Sequence, residues 1–369
     1  MVNRHTYAVH WLELKIDHYG RGPEAIGRSD DGRIVFVNGA VPGDTVRVNI
    51  HEEHKTWMRG EVVEVLEPSK HRRDVPCEHH VRDRCGGCPW IATTIECQQE
   101  EKQRAVEREI ARISTSATVH KIRDDVPEWG YRRRSRLGYR GDVVGFRKFN
   151  ERRIFDLEQC LVLDTRINAA LPEVRAEVAQ RTGRHTSGNL DVVVDANGGI
   201  CIGGKARIFQ QPSATTESVL IQLVLDAIPD TSAGVGELFA GAGTFTEPLM
   251  QQGHRVTAWE VDRKSVDALR QRCPKVTVHQ LDLFKHASRL DLTRLDAIIL
   301  DPPRAGAKAC IQPIVESDAN RIVYVSCDLA TLCRDLRSLQ NNGFRLQYVT
   351  PIDAFPQTPH IECVAVLDR

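Results

Sequence analysis

Long apolar runs are absent from the 369 residues, and none approaches the length that spans a bilayer, so no membrane partner is expected. Net charge is absent too. The 50 Lys and Arg offset 50 Asp and Glu, and the overall balance gives no pointer to nucleic acid. There are no internal repeats and no long low-complexity segments. Residues 1–20 mix His, Glu, Lys and Asp among their apolar positions and do not read as a signal peptide; a cytoplasmic location is the expectation. Without such a signal, an odd count of 11 cysteines argues against a disulfide framework. Some of those cysteines should therefore bind metal or do chemistry. What is present, 41% hydrophobic and 27% charged residues, is the composition of a globular protein. The length fits two or three domains, and a monomer is expected.

Residues 1–68 read as a small β-barrel. Runs at 12–16, 34–37, 45–50 and 60–66 alternate or are β-branched. Gly20-Arg-Gly-Pro23, Asp30-Asp-Gly32 and Val41-Pro-Gly-Asp44 punctuate them. About five strands fit, in a barrel type that often holds single-stranded nucleic acid. Residues 69–205 form a β-rich region, with strands expected at 131–140, 142–147, 152–157, 190–196 and 200–203 and one helix over 165–182. Between Tyr131 and Arg153, nine Lys and Arg stand against two acids, Asp142 and Glu151, with Tyr131, Tyr139, Phe146 and Phe149 interleaved. A solvated basic face and a surface that tracks RNA phosphates both account for this stretch. On the second reading Arg132 and Arg134 are substrate contacts.

Cys77-x7-Cys85-Gly-Gly-Cys88-Pro-Trp90 opens this region. Two of its cysteines flank two glycines, which let the backbone close around an ion or cluster, and the segment reads as metal ligation. Tetrahedral zinc or an iron–sulfur cluster would need a fourth ligand. Cys160, in Leu157-Glu-Gln-Cys-Leu161, is the candidate. Cys97 adjoins a polar helix expected over 98–113 and needs no ligand role. His79 and His80 keep zinc open beside iron–sulfur.

Residues 206–369 change to strand–helix alternation, with strands expected at 235–239, 255–260, 276–280, 297–300 and 322–325. This is the pattern of a doubly wound, Rossmann-like α/β domain. Two last strands, at 345–350 and 361–367, have no long helix between them. In Glu237-Leu-Phe-Ala-Gly-Ala-Gly-Thr-Phe-Thr246, Gly241 and Gly243 permit a tight turn and close approach of a ligand, with Phe239 in the same loop. The further glycine of a dinucleotide fingerprint is missing, which weakens an NAD reading. Glu260 ends the second strand, where an acid accepts ribose hydroxyls. Asp282 follows the third strand, facing an adenine, and Asp301 follows the fourth. Singly, each acid reads equally well as a helix N-cap. Together, with no basic phosphate cradle, they suit a cofactor with a ribose, an adenine and no phosphates, which is S-adenosylmethionine.

The fifth strand leads into Tyr324-Val-Ser-Cys-Asp-Leu329. Leu329, Leu332, Cys333, Leu336 and Leu339 recur at helical spacing, Asp328 stands at the N-cap, and Asn342-Gly343 is a stop signal. Cys327 therefore falls at a strand's carboxyl end, one residue before a helix. Open sheets place ligands there, and a helix N-terminus favours a thiolate there. A buried structural cysteine is the plainer alternative, and is the reading for Cys333 on the apolar stripe.

These residues resemble the iron–sulfur RNA 5-methyluridine methyltransferases, which act on uracils of tRNA or 23S ribosomal RNA and carry an N-terminal TRAM domain. The resemblance runs through Asp31-Gly-Arg-Ile-Val-Phe-Val-Asn-Gly-Ala-Val-Pro-Gly-Asp44, Phe209-Gln-Gln-Pro-Ser213, the Gly241/Gly243 loop, Asp301-Pro-Pro-Arg-Ala-Gly306, Tyr324-Val-Ser-Cys-Asp328 and Phe355-Pro-Gln-Thr-Pro-His-Ile-Glu362. Ser213, Thr244 and Asp328-Leu329 stand where the family more often has Asn, Asn and Asn-Pro. The resemblance implies a 4Fe-4S cluster on Cys77, Cys85, Cys88 and Cys160, S-adenosylmethionine as donor, Cys327 as nucleophile and Glu362 as general base. Gln211 would orient uracil and cofactor, Phe209 would stack on the base, and Asp301 would accept from the uracil N–H. The cluster would be structural or would dock RNA. Two alternatives remain at this point: an RNA cytosine-5 methyltransferase, and a non-catalytic iron–sulfur or zinc RNA-binding protein. The Ser326-Cys327 and His360-Ile-Glu362 pairings favour uracil over the first.

Overall fold

The structure, a computed structural model, describes residues 10–181, 187–195, 197–203 and 211–369. In chain order the elements are β1 (His10–Tyr19), β2 (Ala25–Arg28), β3 (Ile34–Asn38), β4 (Thr45–Glu53), β5 (Trp57–Glu67), α1 (Glu78–Arg82), α2 (Ile95–Ala111), β6 (Thr118–Val119), β7 (Arg134–Arg140) and β8 (Val143–Gly145). They continue with α3 (Thr165–Ala169), α4 (Leu171–Arg181), β9 (Ser187–Val194), β10 (Ile200–Ile202), α5 (Ala214–Ala227), β11 (Gly234–Leu238), α6 (Thr246–Gln251), β12 (Arg255–Glu260), α7 (Arg263–Arg272) and β13 (Thr277–Gln280). The last are β14 (Ala297–Leu300), α8 (Ile311–Glu316), β15 (Arg321–Ser326), α9 (Leu329–Gln340), β16 (Arg345–Ile352) and β17 (Glu362–Asp368). Two compact units divide the chain. One holds residues up to Lys102 with Val143–Leu157 and Pro356–Pro359; the other holds Gln103–Asp142, Glu158–Phe355 and His360–Arg369.

In the first unit, β1-β2-β3-β5-β4 close into a barrel. Alternation turns Leu14, Ile16, Val35, Val37, Val46 and Val48 inward, with Met58 and Trp90 completing the core. Four of the strands follow the runs seen in the sequence. The fifth, β2, is only Ala25-Ile-Gly-Arg28, too short to show alternation. Gly60 marks a tight corner, since a Cβ there would meet Val48 Cγ1 at 2.4 Å and the Asn49 carbonyl at 2.6 Å. The 152–157 strand does not form. Residues 146–155 fold back through the single Arg147–Ile154 bridge, with the Phe155 N–H donating to the Phe146 carbonyl at 3.0 Å. Gln357 belongs to this unit, fully buried with φ +72°. Its N–H donates to Gln98 Oε1 at 2.8 Å, and its carbonyl accepts from the Trp90 N–H at 3.1 Å.

The second unit is built on an eight-stranded sheet, ordered β13-β12-β11-β14-β15-β17-β16-β6. The strands β13, β12, β11, β14 and β15 are parallel, as the alternating pattern requires. Alternate residues of β14 and β15 serve opposite faces. Ile298, Leu300, Ile322 and Tyr324 pack with Leu332, Leu336 and Leu339 of α9 and Ile314 of α8. Ala297, Ile299, Val323 and Val325 pack with Val219, Leu220 and Val224 of α5. Burial on both faces explains why these strands read as continuous apolar runs. The final pair departs from the parallel pattern: β17 inserts antiparallel between β15 and β16.

One expectation in this unit fails. Residues 165–182 do not make a single helix: α3 ends at Ala169, Ala170 has φ −84° and ψ −1°, and α4 restarts at Leu171. Pro172 is the cause, because its ring clashes with the carbonyl four residues back and it has no N–H to donate. Thr182 and Ala196 lie outside the described residues.

Candidate active site

The sheet order turns back at β11, with β12 on one side and β14 on the other. Ligands of such sheets sit at the carboxyl ends of these strands, and the motifs seen in the sequence converge there. Phe239, directly after β11, has φ +63°, which is rare for a residue with a Cβ. Gly241 has φ +55° and Gly243 has φ +90°. A Cβ on Gly243 would meet Leu269 Cδ1 at 2.4 Å, whereas one on Gly241 would meet nothing within 4 Å. The loop is thus pressed onto α7 at Gly243 and open at Gly241.

The strand-end acids divide into different roles. Glu260 is a backbone clamp: Oε2 accepts from the Gly241 N–H at 2.8 Å, and Oε1 accepts from the Val261 and Asp262 N–H groups, each at 2.8 Å. Asp282 closes its own turn, accepting from the Phe284 N–H at 3.0 Å and pairing with Lys285 at 3.3 Å. Phe284, exposed, lies with its ring centroid 5.7 Å from that of Phe239. Asp301 makes no such turn. Its Oδ2 accepts from Gln211 Nε2 at 3.3 Å, and burial pushes its carboxyl up to about 7.

Two further side chains build this site and carried no sequence signal. Glu237, on β11, is buried beneath the glycine loop and accepts from Thr246 Oγ1. Burial, then the charges of Asp301 and Glu260, push it up to about 8. Arg133, inside the basic stretch, is turned inward. Its Nε donates to the Gln211 carbonyl at 3.0 Å, its backbone N–H donates to the Pro212 carbonyl at 2.9 Å, and its guanidinium pairs with Glu217. Ser213 caps α5, accepting from the Thr216 N–H at 2.9 Å. Of the neighbours, Arg132 is half-buried with Nε donating to the Arg134 carbonyl at 3.0 Å, and Arg134 is half-buried. The basic stretch is divided between the units, at Asp142 and Val143. Phe209 lies outside the described residues.

Cys327 sits between β15 and α9, and Asp328 is the N-cap, its Oδ1 accepting from the Thr331 N–H at 2.8 Å. Cys333 is buried in the core. Glu362 opens β17 and is buried. The antiparallel register of β15 and β17 runs from Arg321 opposite Asp368 to Ser326 opposite Cys363. Continued one step, this register would bring Cys327 opposite Glu362, which pairs on its other side with Ile352 of β16. Directly opposed residues of antiparallel strands lie about 4.5–5.5 Å apart at Cα, with their side chains on the same face. The expectation of a thiolate favoured by the helix N-terminus is not met in this state. Burial, then Glu362 and Asp301, push the Cys327 thiol up to about 11, and Arg304 pulls it back only in part. Burial and Asp301 likewise hold the Glu362 carboxyl well above the usual range, again opposed by Arg304. Arg304 Nη2 lies 3.3 Å from His360 Nε2. The sequence contained Arg304 in its Asp-Pro-Pro-Arg motif without a role for it.

The other cysteines are placed separately. Cys77 heads α1, Cys85 forms an isolated bridge with Lys148, and the Cys88 carbonyl accepts from the Ile91 N–H at 3.2 Å. Cys160 is in the second unit, its backbone fixed on both sides by the Asn168 amide, at 2.9 and 3.0 Å. All four are partly exposed. Their donor chemistry suits an iron–sulfur cluster. Among the described residues, however, no group of three or more His, Cys, Asp or Glu side chains is gathered to hold a metal ion.

Comparison with known proteins identifies the family and the fold. A family model described as tRNA (Uracil-5-)-methyltransferase matches residues 204–290 and 284–369, and the TRAM domain model matches residues 7–63. The chain is 30% identical to the 23S rRNA (uracil(1939)-C(5))-methyltransferase RlmD of Dichelobacter nodosus, over 96% of this chain and 97% of that protein. It is 27% identical to the protein of the same name from Shewanella piezotolerans, over 96% and 94%. Among solved structures, the tRNA (uracil-54, C5)-methyltransferase of Pyrococcus abyssi in complex with S-adenosyl-L-homocysteine is similar with a TM-score of 0.75 and 18% identity, covering 96% of this chain and 99% of that one. That likeness shows a shared fold.

Proposed function

The chain belongs to the RNA uracil-C5 methyltransferase family, and on that premise we propose that it methylates carbon 5 of a specific uridine in 23S ribosomal RNA through a covalent adduct on Cys327. The observation that carries this reading is that Cys327 directly follows, and Glu362 directly precedes, the last pair of the β15–β17 ladder, Ser326 opposite Cys363. The ribosomal target is favoured by relatives matched along nearly the whole chain; tRNA is the second reading. A cytoplasmic location follows from that substrate.

Carbon 5 of uracil is a weak nucleophile. Cys327 adds to carbon 6 as the thiolate, its proton released to solvent; the S–C6 bond forms and the C5=C6 electron pair moves into an enolate spanning carbon 5 and oxygen 4. Bound S-adenosylmethionine supplies an electrophilic methyl group. Carbon 5 takes that methyl as the sulfonium–methyl bond breaks. Glu362 then removes the carbon 5 proton, and the released pair rebuilds C5=C6 and expels the Cys327 thiolate. A base whose pKa is raised toward neutrality suits such a transfer. Asp301 and Gln211, already paired through the amide, present an acceptor and a donor to the uracil edge. Gly241, with open space over it, and the acids Glu260 and Asp282 would hold the cofactor's adenosine without a phosphate cradle.

Cys77, Cys85 and Cys88 are proposed to ligate a 4Fe-4S cluster with a structural or RNA-docking role, on the ground of their donor set. Iron and acid-labile sulfide are then expected in anaerobically purified protein, and their absence removes the cluster. The experiment for the main reading is trapping with 5-fluorouridine RNA and S-adenosylmethionine. Fluorine at carbon 5 cannot leave as a proton, so a denaturation-stable adduct is expected. No adduct with wild type, or an undiminished one with Cys327→Ala, would overturn the nucleophile assignment. Nucleoside mapping of 23S ribosomal RNA and tRNA from cells lacking the protein decides the target.

A further inference from the structure

The loop that carries Asp301 and Arg304 is fastened by a network that the chemistry above does not use. Asp335, on α9, and Tyr324, on β15, are both fully buried. Asp335 Oδ2 accepts from the Tyr324 hydroxyl at 2.8 Å and from the Ala307 N–H at 2.8 Å. The same N–H lies 3.0 Å from the Tyr324 oxygen. Asp335 Oδ1 accepts from Arg334 Nε at 2.8 Å, and Arg334 Nη2 donates to the Ala305 carbonyl at 2.9 Å. Between these anchors Gly306 has φ +76°, and a Cβ on it would come within 2.5 Å of both Arg334 Nη2 and Asp335 Oδ2. Residues 305–307 are thus buckled onto the helix that starts just after Cys327. A buried carboxylate is a weak source of stability compared with apolar packing, so its presence here calls for a task.

That task is visible one residue upstream. The groups acting on Cys327 from neighbouring elements are Glu362 of β17, Asp301 and Arg304 of the buckled loop, and only the last is a cation. Arg304 also acts on Glu362 and meets His360. We propose that Asp335, with Tyr324 and Arg334, is a positioning network that fixes the loop carrying Arg304, holding Arg304 beside His360, and that through this loop it sets the thiolate fraction of Cys327. Its catalytic meaning rests on Cys327 being the nucleophile, but thiol reactivity can be measured whether or not that is so.

The test is alkylation of the full chain by iodoacetamide between pH 8 and 12, a range that brackets the titration of the thiol at about 11, read at Cys327 by peptide mass spectrometry. Arg304→Gln is expected to lower the Cys327 rate about tenfold at a given pH below about 11, the effect of a one-unit rise in pKa, and Arg304→Lys to restore most of it. Tyr324→Phe and Asp335→Asn should displace the pH profile in the same direction as Arg304→Gln. The double variant Tyr324→Phe/Arg304→Gln should be no slower than Arg304→Gln alone, as for residues acting through one another. A merely structural network would scale the rate by the same factor at every pH, pH 12 included, or lower only the melting temperature, whereas a raised pKa leaves a gap that narrows above about pH 11. Folded Tyr324→Phe with a wild-type profile, or an effect that adds to that of Arg304→Gln, overturns the proposal. If Asp335→Asn does not fold, Tyr324→Phe decides alone. Failure of 5-fluorouridine trapping with the alkylation pattern intact would fault the nucleophile reading and leave the network standing.

Discussion

Glu237→Gln separates the electrostatics of this site from its packing. Glu237 is buried under the glycine loop and accepts from Thr246 Oγ1; glutamine keeps the shape and the acceptor and removes the charge. Burial raises the carboxyl from 4.5 to about 8. Between those values the folded protein holds a proton that the unfolded chain has lost. The contribution to stability is therefore full below pH 4.5 and is lost as the pH rises through 8. A rise of that size corresponds to roughly 5 kcal/mol between the two limits, of which about 2 kcal/mol falls between pH 6 and 8. The assay is urea unfolding followed by circular dichroism at pH 6, 7 and 8, wild type against variant. Asp301 and Glu362 are raised as well, so the wild type is expected to weaken with pH for three reasons and the variant for two. The difference between the two proteins isolates Glu237, and the variant should gain relative to wild type by about 2 kcal/mol from pH 6 to pH 8. A difference that does not change with pH would show that Glu237 is ionised throughout, and the burial argument would fail.

Gly243→Ala should weaken S-adenosylmethionine binding more than it weakens folding, since the added Cβ meets Leu269 at 2.4 Å in a φ +90° backbone; about 1–3 kcal/mol of strain predicts a Kd raised by roughly tenfold or more in isothermal titration. Adduct formation on 5-fluorouridine RNA should accelerate nearly tenfold per unit from pH 7 to 9, because the thiol titrates at about 11; a flat profile would mean that RNA binding supplies the thiolate. Glu362→Gln should form the methylated adduct on ordinary RNA and stall there, visible as a persistent covalent band; clean turnover near the wild-type rate would reject Glu362 as the base.

Much of the catalytic domain was legible because its strands are buried on both faces. A run such as Ala297–Leu300 has no other use in a globular chain, and the acid or cysteine that follows each run falls at the ligand edge by topology alone. The N-cap role of Asp328 was legible for a similar local reason. Properties that depend on distant partners were not. Arg133 reads as one more residue of a basic stretch, and only the approach of Gln211 and Glu217 shows that it faces inward. Glu237 reads as an acid in a strand, and its burial is set by helices elsewhere in the chain. Pro172 did announce the break between α3 and α4, and apolar periodicity across it hid the signal.

The hardest property to read was the approach of Cys327 to Glu362, because it needs β17 to enter between β15 and β16 in reverse. That insertion also explains why the thiol is not activated in the state described. Glu362 and Asp301 raise the Cys327 thiol, Asp301 raises Glu362, and the exposed Arg304 opposes both shifts. Groups coupled in this way titrate as a set, so the site favours fewer negative charges than it has acidic groups. Thiolate formation is then easiest while Glu362 is protonated. Once the sulfur is bonded to carbon 6 it is an uncharged thioether, and ionising Glu362 no longer meets a thiolate beside it. Glu362 can then release its proton and accept the one on carbon 5. On this argument the same opposition that suppresses the resting thiolate prepares the base after the adduct forms, and Glu362→Gln should leave the first step at least as fast while blocking the last.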